Sequence, residues 1–110
     1  MRVGALPPGI TVERLTDSDG VTLDVDGELD LATAPTLIRI ATDSIAEGPD
    51  RVMVIVLARV GFCDSAGISA LVTIRKLCDQ HGWRLRVSQP NVAVRRVLEL
   101  TGLVQYLDVE

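Results

Sequence analysis

Apolar and polar residues alternate over two early stretches, first through Ile10, Val12 and Leu15, then through Val21, Leu23, Val25, Gly27 and Leu29, with Thr22, Asp24, Asp26 and Glu28 between them. A period of two is that of half-buried β-strands. The turn cluster Thr16-Asp17-Ser18-Asp19-Gly20 is short enough to join the two as a hairpin. The spacing then becomes helical: Ala34, Leu37, Ile38, Ala41 and Ile45 fall on one face, Thr33 stands at the N-cap position, Pro35 lies in the first turn, and Gly48-Pro49 stops the run. Val52 to Leu57 is continuously aliphatic and rich in β-branched residues, which predicts a central strand covered on both faces.

A second helix is predicted from Asp64 or Ser65 to His81, with Ile68, Leu71, Val72 and Cys78 on its apolar side and Gly82 at its end. Leu85 and Val87 alternate with Arg84, Arg86 and Ser88 as a short strand. Pro90-Asn91 opens a third helix that directs Val94, Val97, Leu98 and Thr101 inward and ends at Gly102; Val104 to Val109 then reads as a last edge strand. Strands alternating with helices predict an α/β fold, in which an N-terminal antiparallel hairpin leads into a mostly parallel sheet of about five strands with three helices and right-handed crossovers.

The 110 residues, 47% of them hydrophobic, suit one domain over 1–110, with the Pro7-Pro8-Gly9 segment marking 1–9 as a flexible lead-in. Aromatic residues make up only 3%, so the core must be aliphatic and there are few rings on which bases could stack. A net charge of -4 opposes binding to a phosphate backbone, and no direct nucleic-acid role is expected. No apolar run approaches the roughly eighteen residues of a transmembrane helix, and no signal-peptide pattern opens the chain, so a cytoplasmic location without membrane insertion is expected.

Cys63 and Cys78 lack C-x-x-C spacing and are accompanied by the single histidine His81, which predicts two free thiols packed as small hydrophobes and no metal or cofactor site. The segment Gly61 to Gly67 lacks the G-x-x-x-x-G-K pattern of a phosphate loop. A hydrolase built on Ser65 and His81 fails on distance, because the helix between them separates the two by about 24 Å. No enzyme is expected. Arg95 and Arg96 are expected on a solvated helix face, and Trp83 in packing.

In such sheets, functional groups collect at the carboxyl ends of strands, where each strand turns into a helix whose first N–H groups are unpaired. Two segments qualify: Gly27-Glu28-Leu29-Asp30-Leu31-Ala32-Thr33-Ala34-Pro35 and Val60-Gly61-Phe62-Cys63-Asp64-Ser65-Ala66-Gly67. The first of these, then Phe62-Cys63-Asp64-Ser65-Ala66-Gly67-Ile68, then Val94-Arg95-Arg96-Val97-Leu98-Glu99-Leu100-Thr101-Gly102-Leu103 resemble the three signature stretches of STAS domains, the anti-sigma factor antagonists of bacteria. The resemblance runs from about Ile10 to Tyr106.

The resemblance implies a partner switch. Its unphosphorylated form binds an anti-sigma factor with ATP-dependent serine kinase activity and so releases a sigma factor; phosphorylation of Ser65 by that kinase ends the binding, and a serine phosphatase restores it. Ser65 falls in the first turn of a helix, where a phosphate is tolerated, and about -1.5 to -2 of added charge beside Asp64 and near Asp30 repels a partner fitted to the hydroxyl. Asp64 is open to two readings, a plain N-cap or a group that orients the serine. Glu28 and Asp30 are either solvated strand-end charges or partner contacts, and the resemblance favours contact for Asp30. Thr33 is read first as a helix cap, and Gly67 as a point of close backbone approach by the partner. With Ser65 and Ala66, these residues make up the candidate partner-contact set.

Where the family often has an aspartate, a glycine and a second serine, this chain has Val56, Arg59 and Ala66. The chain stops at Glu110, where many members continue into a further helix, and self-association as a weak homodimer is the associated expectation. The competing reading is a STAS scaffold subunit of a stress-signalling or transporter complex that controls no sigma factor.

Overall fold

A computed structural model describes residues 1–110 apart from Ala5 and Asp50. The alternating stretches form β1 (Ile10–Thr16) and β2 (Gly20–Leu29), followed by α1 (Ala34–Ala46), β3 (Val52–Cys63), α2 (Ser65–Gln80), β4 (Arg84–Ser88) and α3 (Val92–Leu100). The β1–β2 turn is closed by Asp17, whose carboxylate accepts from the N–H groups of Asp19 and Gly20 at 2.8 and 3.0 Å. The sheet has the order β1-β2-β3-β4, with β1 antiparallel to β2 and both later pairings parallel. Ahead of β1, the Val3 N–H donates to Val12 O and the Arg14 N–H to Met1 O, so the first residues of the lead-in run along the outer edge of that strand.

Because each parallel strand is added on the same side of the last, right-handed crossovers carry the helices to one face of the sheet. There Leu37, Ile40, Ala41, Leu71, Ile74 and Leu98 close over Val12, Leu23, Val25, Ile55, Leu57 and Val87 in one aliphatic core. Trp83 is buried, as expected, with the Arg51 guanidinium 5.9 Å from its ring centre. Gly82 and Gly102, at φ +73° and +72°, end α2 and α3 in the left-handed conformation that glycine adopts without steric penalty.

Four sequence expectations are corrected. β3 is central, but it is covered on one face only: Met53, Ile55 and Leu57 are fully buried, whereas Val52, Val54 and Val56 are half-buried on the other face. It also runs on to Cys63. Register shifts opposite Asp24–Asp26 and Gly27–Glu28 insert extra residues into β3, and these bulges break the period of two by which a strand is recognised.

The fifth strand is reduced to a single bridge between Val87 and Val109. The chain before it is wound into turns, with the Leu107 N–H donating to Leu103 O at 2.9 Å, because this spacing sends Leu107 into the core. The Arg75 guanidinium lies 4.6 Å over the Tyr106 ring and donates to its carbonyl, which ties these turns to α2. Finally, Thr101 is exposed and satisfies its hydroxyl on Val97 O at 2.8 Å, and Ile38 and Val97 are only half-buried at the margins of their helices.

Candidate functional site

The carboxyl ends of β2 and β3 lie side by side, with Leu29 in register with Cys63 and the Asp64 N–H donating to Leu29 O at 3.1 Å. The next residue of each strand is an aspartate, so Asp30 and Asp64 open their turns at neighbouring points. Asp64 is extended and its carboxylate accepts from the N–H groups of Ala66 and Gly67 at 2.9 and 3.2 Å, the geometry of a helix N-cap. Ser65 is therefore the first residue of α2, and it is exposed. The positive end of a helix of 16 residues stands behind its hydroxyl.

The turn after β2 is held differently. The Asp30 carboxylate accepts from Ala32 N–H at 3.0 Å and Thr33 N–H at 3.1 Å. Thr33 occupies the N-cap position of α1, yet its hydroxyl makes no cap hydrogen bond. It points back instead, donating to Glu28 O at 2.7 Å and accepting from Asp30 N–H at 3.0 Å. Thr33 is 1% exposed, which corrects both its reading as a cap and its place among the partner contacts. Its hydroxyl fixes the turn that presents Asp30. Thr33→Val, which keeps the shape and strands two backbone groups, is expected to lower stability by about 1–3 kcal/mol; a thermal melt unchanged from the parent would contradict this.

Gly67 requires a second correction. It is buried, and a Cβ built on it would stand 2.6 Å from both Leu29 O and Cys63 Sγ. The absent side chain lets α2 close on the end of β2, so the close approach at this residue is made by Leu29 and Cys63 of the chain itself. Of the candidate set, Ser65 and Glu28 are exposed, Asp30, Asp64 and Ala66 are half-buried, and only Thr33 and Gly67 face inward.

Sequence reasoning missed the apolar fringe at this end of the sheet. Leu31, Phe62 and Val92 are 80%, 52% and 87% exposed. Leu31 follows Asp30, Phe62 lies two residues before Asp64, and Val92 opens α3 beside Asn91. Asn91 caps that helix through Val94 N–H at 2.8 Å and donates to Val60 O at 3.1 Å, so α3 starts against the end of β3. The available signal was phase: each of the three is a large apolar residue out of step with the core pattern and close to a polar motif. His81, in contrast, stands at the opposite end of α2 with Nδ1 2.9 Å from Leu77 O, and no Ser65–His81 pair forms.

Both thiols are buried. Burial, reinforced by the carboxylate of Asp64, raises Cys63 from 9.0 to about 11; burial and Asp79, partly opposed by Arg75, do the same for Cys78. A thiol held neutral by the fold stabilises it until the unfolded chain can ionise, so stability falls as pH rises above 9.0 toward about 11. Iodoacetamide at about pH 8 is expected to leave both cysteines of the folded chain untouched and to modify both in denaturant. Rapid native labelling of Cys63, read by intact mass, would contradict the buried placement.

The fold and the site define a small α/β domain that presents an exposed serine at a helix start, next to Asp64 and with Asp30 opening the neighbouring turn. The STAS domain family model matches residues 11–110, and the chain belongs to that family. It is 30% identical over 100 residues to an anti-sigma-B factor antagonist of Staphylococcus epidermidis, covering 91% of this chain and 92% of that protein. A crystal structure of an anti-sigma factor antagonist from Mycobacterium paratuberculosis superposes with a TM-score of 0.77 at 31% identity, over 96% of this chain and 89% of that one. The Bacillus cell fate determinant SpoIIAA, 19% identical, shares the fold in its unphosphorylated form at a TM-score of 0.76, over 90% of this chain and 87% of that one. Its phosphorylated form gives 0.69, over 92% and 90%. Among the described residues, no helix is long and apolar enough to cross a membrane.

Proposed function

We propose that the chain is an anti-sigma factor antagonist that works by partner switching, with Ser65 as the residue whose phosphorylation turns it off. The observation that carries the reading is the placement of Ser65: exposed, first in α2, and preceded by a carboxylate that already occupies the Ala66 and Gly67 N–H groups. A phosphate on Ser65 cannot fold back onto those donors without displacing Asp64. Its charge stays outward, beside Asp64 and Asp30, on the surface a partner would cover.

In the unphosphorylated state, the Ser65 hydroxyl, the half-buried Asp30 and Asp64, exposed Glu28 and the fringe of Leu31, Phe62 and Val92 offer polar groups among apolar contacts. Such a surface suits a protein partner, here an anti-sigma factor with ATP-dependent serine kinase activity. Capture of that factor releases the sigma factor, and a serine phosphatase resets the antagonist. The chain's own part is recognition and acceptance of the phosphoryl group, not catalysis, and it works in the cytoplasm with its partners. The relatives named as anti-sigma factor antagonists and the SpoIIAA fold known in both phosphorylation states support this reading.

The test is incubation of the purified chain with ATP and the anti-sigma kinase encoded nearest to it, followed by intact mass and site mapping. One added phosphate is expected, absent from Ser65→Ala. Tight binding with no phosphate, indifferent to substitution at Ser65, would identify a constitutive scaffold and sink the switch.

A further inference from the structure

The helices cover one face of the sheet, and on the opposite face the side chains of all four strands are half-buried or exposed. Register places Leu15, Thr22, Val54 and Arg86 in one row across it and Glu13, Asp24, Val56 and Ser88 in the next. The central strand β3 contributes Val52, Val54 and Val56, all half-buried, and Leu15 is 52% exposed. On the β2 side the face is acidic, through Asp24, Asp26 and the hairpin residues Asp17 and Asp19. On the β4 side it carries exposed Arg84 and Arg86, the latter paired with Asp108 and Glu110. A shallow depression of about 310 Å³ is floored by Val52 and Val54, between Asp17, Asp19 and Thr22 on one side and Arg86 on the other.

We propose that this face docks a second copy of the chain, with the two-fold axis parallel to β3. The argument is one of symmetry. β2 and β4 flank β3 on either side, so rotation about an axis that lies between two facing sheets and follows β3 sets valine strip on valine strip and exchanges the flanks. The acidic side of each copy then covers Arg84 and Arg86 of the other. A two-fold axis across the strands would instead set acid on acid. The contact is isologous, so it closes at two copies and does not propagate.

Arg86 already holds Asp108 at 3.4 Å and also Glu110, and Arg59 holds Asp24 at 3.1 Å and Asp26 at 3.7 Å. Asp19 and Arg84 make no ion pair among the described residues. Arg84 lies in the row of Val52 and Gly20, next to Asp19, so the rotation brings Arg84 of one copy over the Asp19 region of the other. Strands about 4.8 Å apart, with residues rising about 3.3 Å, give the face an area of the order of 500 Å². That is short of the roughly 800 Å² per partner of a standard stable interface, so the dimer is weak. Ser65, past the carboxyl end of β3 where the chain turns toward the helix layer, stays accessible in it.

Sedimentation equilibrium on the whole chain from about 10 µM to about 1 mM tests the proposal. The mass is expected to rise from one chain toward two, and Val54→Asp, with circular dichroism confirming its fold, to hold it at one. Should that variant fail to fold, the surface charges decide: Arg84→Asp and Asp19→Arg should each weaken dimerisation about tenfold, and the double exchange should recover most of the loss. A single-chain mass at every concentration, a dimer indifferent to folded Val54→Asp, or a double exchange no better than its single parents would each overturn the proposal.

Discussion

Gly67→Val is expected to leave the domain largely unfolded at ordinary temperature, although the substitution lies two residues from the candidate serine Ser65 and removes no polar group. A first side-chain carbon at this position would stand 2.6 Å from Leu29 O and Cys63 Sγ and 2.8 Å from Leu29 Cβ. Two of those atoms belong to the end of β2, which also accepts the Asp64 N–H and so seats the start of α2. Backbone there cannot yield without breaking that hydrogen bond or lifting the helix from the sheet. Overpacking a core costs about 1–3 kcal/mol. Alanine should fall in that range, and valine, which adds two further methyl groups, should exceed it. Against a total stability of about 5–15 kcal/mol, that removes a large share. Thermal melts followed by circular dichroism are the check. Cys63→Ala combined with Gly67→Ala should recover only part of the loss, because Leu29 O remains in the way. A parent-like melting temperature for Gly67→Val would mean that the motif glycine faces solvent and is free to meet a partner.

The second large effect is expected in binding and not in folding. Ser65→Asp should weaken capture of the anti-sigma kinase at least a hundredfold while Ser65→Ala retains it, and the phosphorylated parent should bind more weakly still. Juxtaposed like charges across an interface cost several kcal/mol, and each 1.4 kcal/mol is tenfold in affinity. The aspartate adds one negative charge to a rim that holds Asp64 and Asp30, and the phosphate adds about -1.5 to -2. Since Ser65 is exposed and stands at the positive end of α2, either charge should shift stability by no more than about 0.5–1 kcal/mol. Calorimetric titration of the three forms at low and high salt separates the causes, because repulsion between exposed charges is screened by salt. Equal affinity for parent and Ser65→Asp would remove the electrostatic basis of the switch. Lost affinity with a collapsed melting temperature would trace the effect to folding.

The two predictions divide the Asp64-Ser65-Ala66-Gly67 motif. Asp64 builds the helix start, Ser65 presents an exposed hydroxyl, the proposed site of modification, and Gly67 seats the helix on the neighbouring strand. A sequence motif reads these as one signal because they are adjacent. Their physical tasks differ because successive residues at a helix start point in different directions. The same holds at Thr33, whose residue type suits a cap and whose hydroxyl is turned to Glu28 O and Asp30 N–H by the preceding turn.

Periodicity, read with the turn and cap residues, predicted the hairpin, the three helices and the start of α2, because strand and helix repeats follow from sterics within a few residues of each position. It also placed Ser65 at a helix start. Periodicity failed where an extra residue changed the phase, as in the bulges of β3, and where Leu103, Val104 and Leu107 carried a helical spacing inside an apparent strand. The sequence by itself determined the elements and the residue types at the candidate site. Only the tertiary structure decided which face of β3 is covered, that Gly67 meets Leu29, and that Leu31, Phe62 and Val92 are left exposed. Those outcomes depend on the side to which each crossover turns and on the register between strands, and both are set by contacts among residues far apart in the chain.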